Sequence, residues 1–156
     1  MKVIFLDIDG VLNCDSTEDR APTGCIGIED EKVKLLSRIV SDSGAVIVLT
    51  STWKAEWNED QALCSKDGLY INDKLAPFGL HIYAKTRDQI VDRGAGIRTW
   101  LTNHPGVDGW AVLDDDVFAD YHRFGIMPHL VHTRYHENGL QPKHVEAAIK
   151  ILNEGP

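Results

Sequence analysis

The apolar run Val3-Ile4-Phe5-Leu6 stops on Asp7, and Asp9 follows two positions later with Gly10 behind it. A short unbroken run of this kind reads as a strand buried on both faces, which restricts the chain to a sheet covered by helices on each side. Two carboxylates leaving one strand end repel by about 3 kcal/mol at roughly 5 Å and an effective dielectric near 20. No structural use of such a pair repays that repulsion, so a cation is expected beside it. Gly10 permits the sharp backbone turn that follows. In open α/β sheets, function gathers at the carboxyl ends of strands.

The rest of the chain repeats this pattern. Glu29 to Ser43 carries Val33, Leu36, Ile39 and Val40 at helical spacing, with acids at its start and Gly44 at its end. Ala45 to Leu49 predicts a second buried strand and runs into Thr50-Ser51-Thr52. Strand, helix and strand in succession imply a right-handed parallel crossover. A strand is expected over His81 to Ala84, then a helix from near Gly94 with Arg93 at its start. Trp110 to Leu113 is the next buried strand and ends on Asp114-Asp115-Asp116; for a third time an apolar run stops on polar chemistry. A last short strand falls at His129 to Thr133, and a closing helix at Pro142 to Leu152 has proline in its first turn. Cys14 to Asp30, polar and broken by Pro22, Gly24 and Gly27, predicts a loop or short flap. Trp53 to Gly79 predicts a short helix from about Ile71 to Pro77, with turns near Asp67-Gly68 and Phe78-Gly79. The expected architecture is α/β: a Rossmann-like three-layer sandwich with a mainly parallel central sheet, one domain spanning residues 1–156.

Composition bounds the function. With 43% hydrophobic and 26% charged residues, and no apolar run near the roughly 20 residues of a membrane span, the chain reads as a globular protein rather than a membrane one. The N-terminal run carries aspartates where an export signal would stay apolar, so a cytoplasmic location is expected. Cys14, Cys25 and Cys64 are odd in number and lack metal-knuckle or dithiol spacing, which predicts free thiols. A formal net charge of −8 disfavours non-specific nucleic-acid binding. Lys85, Arg87, Arg93 and Arg98 nevertheless leave room for a local anion-attracting face. His129, His132 and His136 straddle a predicted strand and turn and read as ordinary surface histidines, Asp116 and Asp120 as surface acids, and Trp53 and Trp57 as packing.

Parallel strands put their carboxyl ends on one edge, so Asp7 and Asp9, Thr50, and Asp114 to Asp116 converge although far apart in sequence. Several carboxylates and a hydroxyl in one cleft suit a hard, oxygen-seeking divalent cation. Mg²⁺ held by few protein carboxylates completes its shell with water and a phosphate.

The residues resemble the haloacid dehalogenase (HAD) superfamily of phosphotransferases. Asp7-Ile8-Asp9-Gly10-Val11 is similar to its first motif, Val46 to Thr50 to the second, and Val112-Leu113-Asp114-Asp115 to the fourth. Two-component receiver domains place their acidic pair first, whereas here the paired acids follow the threonine. Ser51-Thr52-Trp53, Arg93-Gly94 and the run Trp110 to Asp116 resemble in particular small members associated with RNA-repair enzymes.

The resemblance implies a phosphatase. Asp7 is then the nucleophile that forms an aspartyl phosphate, and Asp9 the acid that protonates the leaving oxygen and later deprotonates water. Asp7, Asp114 or Asp115 and the Asp9 backbone carbonyl would hold Mg²⁺. Thr50 and one cation, which is Lys85, Arg93 or Arg98 with Arg93 favoured by its place at a helix start, would hold phosphoryl oxygens. Gly10, Ser51 and Lys85 join the substrate-binding set. Caps in this superfamily follow the first strand or sit between later motifs. Here the first segment is of flap length and the second, 54–92, is short, so a small cap or none is expected over an open cleft. The substrate would be a phosphorylated small molecule, such as a nucleotide, or a nucleic-acid end. The rivals are a non-catalytic Mg²⁺ or phosphate-binding module of the same fold and a phosphotransferase or phosphomutase.

Overall fold

The computed structural model describes residues 1–87 and 92–156. Along the chain run β1 (Lys2–Leu6), α1 (Asp30–Ser43), β2 (Val46–Leu49), α2 (Lys66–Leu75), β3 (Ile82–Lys85), α3 (Arg93–Thr102), β4 (Gly109–Asp114), β5 (Leu130–His132) and α4 (Pro142–Glu154). The strands form one sheet in the order β3-β2-β1-β4-β5, with every neighbouring pair parallel. Chain order moves outward from β1 to β2 and β3, then returns to β4 on the other side of β1. The β1/β4 boundary is therefore a topological switch point, where a crevice opens at the carboxyl ends.

Alternation along the strands assigns the two faces. Ile4 and Leu6 of β1 point with Ile47, Leu49, Ala111 and Leu113 into a core closed by α1, α2 and α4. Val3 and Phe5 point with Val48 and Val112 into a second core closed by α3 and the segment after β4. Phe5 meets Trp100 and Trp110 edge-on, at centroid distances of 5.6 and 6.1 Å. Burial on both faces explains why the central strands read as unbroken apolar runs rather than alternating ones. The result is the expected three-layer α/β sandwich.

The helices follow their signals, with one correction. Asp30 and Glu31 sit in the first turn of α1, and Pro142 opens α4, where Gln141 and His144 form a capping box. Ile71 to Pro77 was expected to be the helix and Asp67-Gly68 a turn before it. Instead α2 begins at Lys66, with the Ser65 hydroxyl accepting the Gly68 N–H at 3.4 Å. Gly68 serves packing rather than turning: a Cβ there would stand 2.0 Å from the Glu56 carbonyl oxygen. Ile71 and Leu75 of the same helix enter the α1 core, so α2 is packed onto the domain. Residues 88–91 of the 54–92 segment lie outside the described residues. The flap expected over Cys14 to Asp30 is present and is closed by a two-residue antiparallel bridge, Arg20 with Ile26.

The three cysteines are free thiols, Cys14 buried, Cys25 exposed and Cys64 between. Among the described residues no helix is long and apolar enough to cross a membrane.

Gly68→Ala tests the packing role. An open helical site would gain up to about 1 kcal/mol from alanine. Steric conflict with the Glu56 carbonyl should instead cost about 1–3 kcal/mol, read as a lower midpoint in urea or thermal unfolding. A rise in the midpoint would disprove the close approach.

Candidate active site

One hydrogen bond beyond the last ladder residue of four of the five strands builds the edge. Asp7 N–H donates to the Leu113 carbonyl at 3.0 Å, Thr50 to Leu6 at 2.9 Å, Thr86 to Leu49 at 3.1 Å and Thr133 to Asp114 at 3.0 Å. Each bond carries the strand geometry one residue further, into a polar side chain. Asp7, Thr50, Thr86 and Thr133 thus follow β1, β2, β3 and β5, and Asp114 ends β4. Sequence reading found three of these five positions. Thr86 follows a short edge strand and Thr133 a three-residue one, and neither carries the long apolar run that drew attention to the others.

Asp7, Asp114 and Asp115 bring one carboxylate oxygen each within 4.8 Å of one another. Asp7 and Asp114 are 5% and 0% exposed, and Asp115 is half-buried. Arg93, 4% exposed, stands between the first two, with Nη1 2.9 Å from Asp114 Oδ2 and 3.4 Å from Asp7 Oδ1. Its guanidinium also lies over the Phe118 ring, 4.2 Å from the centroid. Asp114 is gripped further by the Tyr121 hydroxyl at 2.7 Å and the Asp116 N–H at 3.0 Å. Asp120, expected at the surface, is half-buried and accepts the Gly94 and Ala95 N–H groups at 3.0 and 2.9 Å. It satisfies the start of α3 from outside that helix and so sets Arg93 in place.

Burial, reinforced by Asp114, holds the Asp7 carboxyl well above the usual carboxylate range, against the opposing pull of Arg93. Burial and Asp114 also raise Asp115. Burial alone would lower Arg93, but Asp7 and Asp114 outweigh it and hold the guanidinium protonated. Burial and the same Asp114 raise the Tyr121 phenol, which remains a donor. Three carboxylates with one cation leave the cluster short of positive charge, the condition that a divalent cation would correct.

Asp9 is outside this cluster. Its Oδ1 accepts the Asn13 amide at 2.9 Å and its Oδ2 the Trp53 indole N–H at 3.1 Å. Trp53, expected only to pack, is 7% exposed and stacks with Tyr70, yet it also orients this exposed carboxylate. Gly10, at φ 81°, lets the chain turn beneath Asp115: a Cβ there would lie 2.1 Å from Asp115 Oδ2. Its N–H donates to Asn13 Oδ1 at 2.9 Å and its carbonyl accepts the Thr133 hydroxyl at 2.6 Å. The Ser51 hydroxyl accepts the Trp53 N–H at 3.2 Å and caps the short helix Thr52–Ala55.

Of the three candidate cations, only Arg93 touches the aspartates. Lys85 Nζ donates to the Lys54 and Trp57 carbonyls at 2.7 and 2.5 Å, and burial together with Arg87 lowers its pKa. Arg98 donates to the Phe124 carbonyl at 2.9 Å and lies over Trp110. The histidines are not one site, and two are more than surface groups. His129 stacks on Trp110 at 3.6 Å, and His132 Nε2 pairs with the Asp115 carbonyl at 3.0 Å, bracing the loop that carries the acids. His136 is exposed beside Asp15.

Thr50 is fully buried, and its Oγ1 has no hydrogen-bond partner among the described residues. Orphaned buried hydroxyls are uncommon in folded proteins.

Acids at the ends of the two strands that flank a switch point, with a cation from the helix between them, define a domain of the HAD type. The comparison with family models agrees: residues 3–145 match the HAD domain in Swiss Army Knife RNA repair proteins, and the chain belongs to that family. No curated protein and no solved structure matches it.

The raised Asp7 and Asp115 pKa values fix a pH dependence. Between the ordinary aspartate range and the raised values the folded chain binds more protons than the unfolded one, so stability falls as pH rises through that window and then levels off. In metal-free solution Asp7→Asn should flatten this slope and raise the melting temperature at neutral pH. Stability that instead climbs with pH across that window in the wild type would contradict the arrangement.

Proposed function

We propose that the chain is a Mg²⁺-dependent phosphomonoester hydrolase working through an aspartyl phosphate on Asp7. The observation that carries this reading is the partnerless Thr50 hydroxyl beside an undercompensated carboxylate trio. A phosphoryl group bridging the two would supply the missing acceptor, and a divalent cation the missing charge. The donor set fits the cation, because carboxylate oxygens at an open strand edge suit a hard ion that keeps several waters. When bound, Mg²⁺ would offset the repulsion between phosphate and carboxylate.

The chain's own residues then divide the work. Asp7 attacks phosphorus in line, and the bond to the leaving oxygen breaks. Arg93 and Thr50 hold the non-bridging oxygens, with Lys85 on the wall beyond Arg93. Asp9, held clear of the cluster by Asn13 and Trp53, gives its proton to the leaving oxygen, then takes one from the water that cleaves the aspartyl phosphate. Gly10 and Ser51 act through the loops they shape, Gly10 by admitting Asp115 and Ser51 by setting Trp53. A module that only binds phosphate has no use for Asp9 in this posture, which disfavours the non-catalytic rival.

Residues 1–156 are read as one hydrolase domain, and three free thiols suit a reducing compartment such as the cytoplasm. The family's link to RNA repair and the open cleft support a nucleotide or nucleic-acid end as substrate.

Phosphate release from such esters should require Mg²⁺, stop with EDTA, and fall by about a thousandfold or more in Asp7→Asn. Unchanged release in Asp7→Asn would overturn the mechanism. Trp53→Phe should slow esters of poor alkyl leaving groups about tenfold while sparing aryl phosphates, which need little protonation. Equal loss on both would assign Trp53 to packing alone.

A further inference from the structure

Two cavities meet at Thr52 on the strand-end edge, and they differ in charge. The larger, about 680 Å³, is walled by Asp9, Trp53, Glu56 and Asp67 together with Thr23 and Ile26 of the flap. The smaller, about 300 Å³, is lined by Lys54, Lys85, Arg87 and Arg93. Among the described lining residues, the first holds three carboxylates and no lysine or arginine, and the second holds four cations and no carboxylate.

Resting on the hydrolase reading, we propose that the larger cavity receives the leaving group and selects an uncharged one. The preferred substrate is then a nucleotide rather than a nucleic-acid end: a phosphate monoester of a neutral alcohol of nucleoside size, over an ester whose leaving group bears further phosphate.

The polarity of the edge carries this assignment. A proton passes from Asp9 only to an oxygen within about 2.6–3.2 Å, so the first atoms of the leaving group lie against the Asp9 carboxylate. That carboxylate is pinned to the wall of the larger cavity by Trp53 and Asn13. Arg93, on the wall of the smaller cavity, contacts Asp7 at 3.4 Å and draws the phosphoryl oxygens to its own side. The ester oxygen therefore faces the larger cavity. Its wall is set before any ligand arrives: Thr23 donates its N–H to Asp67 Oδ1 at 3.2 Å and its hydroxyl to Asp67 Oδ2, and Ile28 N–H donates to the Tyr70 hydroxyl at 2.9 Å. These bonds tie the flap to α2.

Such a wall suits hydroxyl groups, which donate to carboxylates, and apolar surface, which packs on Ile26 and Trp53. A second phosphate in this cavity meets the like charge of Asp9, Glu56 and Asp67. The volume is within the usual range for a small-molecule site.

The test compares kcat/KM for a nucleoside 3′-monophosphate and the matching 3′,5′-bisphosphate at fixed ionic strength with excess Mg²⁺, in the wild type and in Glu56→Lys. The two esters share the 3′-phosphate, and the bisphosphate adds charge to its leaving group; loss of the 3′-phosphate is followed by product analysis, because the 5′-phosphate is itself a monoester. The monophosphate should be favoured by about tenfold or more, and Glu56→Lys should narrow that ratio by about threefold or more. A bisphosphate turned over as well or better, or a ratio that Glu56→Lys does not move, overturns the cavity assignment and leaves the hydrolase reading standing. Turnover confined to an aryl phosphate overturns it too, and no turnover of any of the three esters overturns both.

Discussion

Arg93 between Asp7 and Asp114 is the contact on which the rest of the site depends. Burying two carboxylates without a counterion is costly, and removing the cation that such a buried cluster shares typically costs about 3–5 kcal/mol. A single guanidinium, almost fully enclosed, bridges the ends of two neighbouring strands. It does so from the first residue of α3, a helix whose own start is satisfied by Asp120 from the far side. The arginine thereby ties β1, β4, α3 and the segment after β4 into one polar cluster, and Tyr121 and Phe118 close it against solvent.

That cluster is paired but not neutral. Asp7 remains raised despite Arg93, and Asp115 is raised as well, so the same arrangement that holds the fold together keeps an appetite for positive charge at its mouth. Structure and reactivity are linked at this point. Asp7 is exposed to repulsion that a divalent cation would relieve, while Asp9, two residues on, is kept apart by an amide and an indole. Neighbouring aspartates thus acquire different environments, Asp7 buried beside Arg93 and Asp9 exposed under Asn13 and Trp53.

The strand-end edge is also polarised. Carboxylates and apolar side chains line one side of Thr52 and cations the other. The net charge of −8 describes neither side. A cleft sorts its ligands by local field, and total charge reports only what the surface does on average.

What sequence alone determined follows from local periodicity. Three apolar runs too unbroken for a half-exposed strand dictated a buried parallel sheet, and in such a sheet the polar residues that end the runs must share an edge. Asp7, Thr50 and Asp114 were legible for that reason, as was Arg93 from its place at a helix start. Short or irregular segments hid the rest. Thr86 and Thr133 follow strands with weak periodicity, and Gly68 looks like a turn because its reason for being glycine is the carbonyl of Glu56, twelve residues back. Only the tertiary structure decided that Trp53 and Asn13 hold Asp9, that Asp120 caps a helix far from it in sequence, and that Lys85 and Arg98 spend their charge on backbone carbonyls. Side-chain hydrogen bonds have no periodicity: their geometry exists only once the elements that carry them have packed.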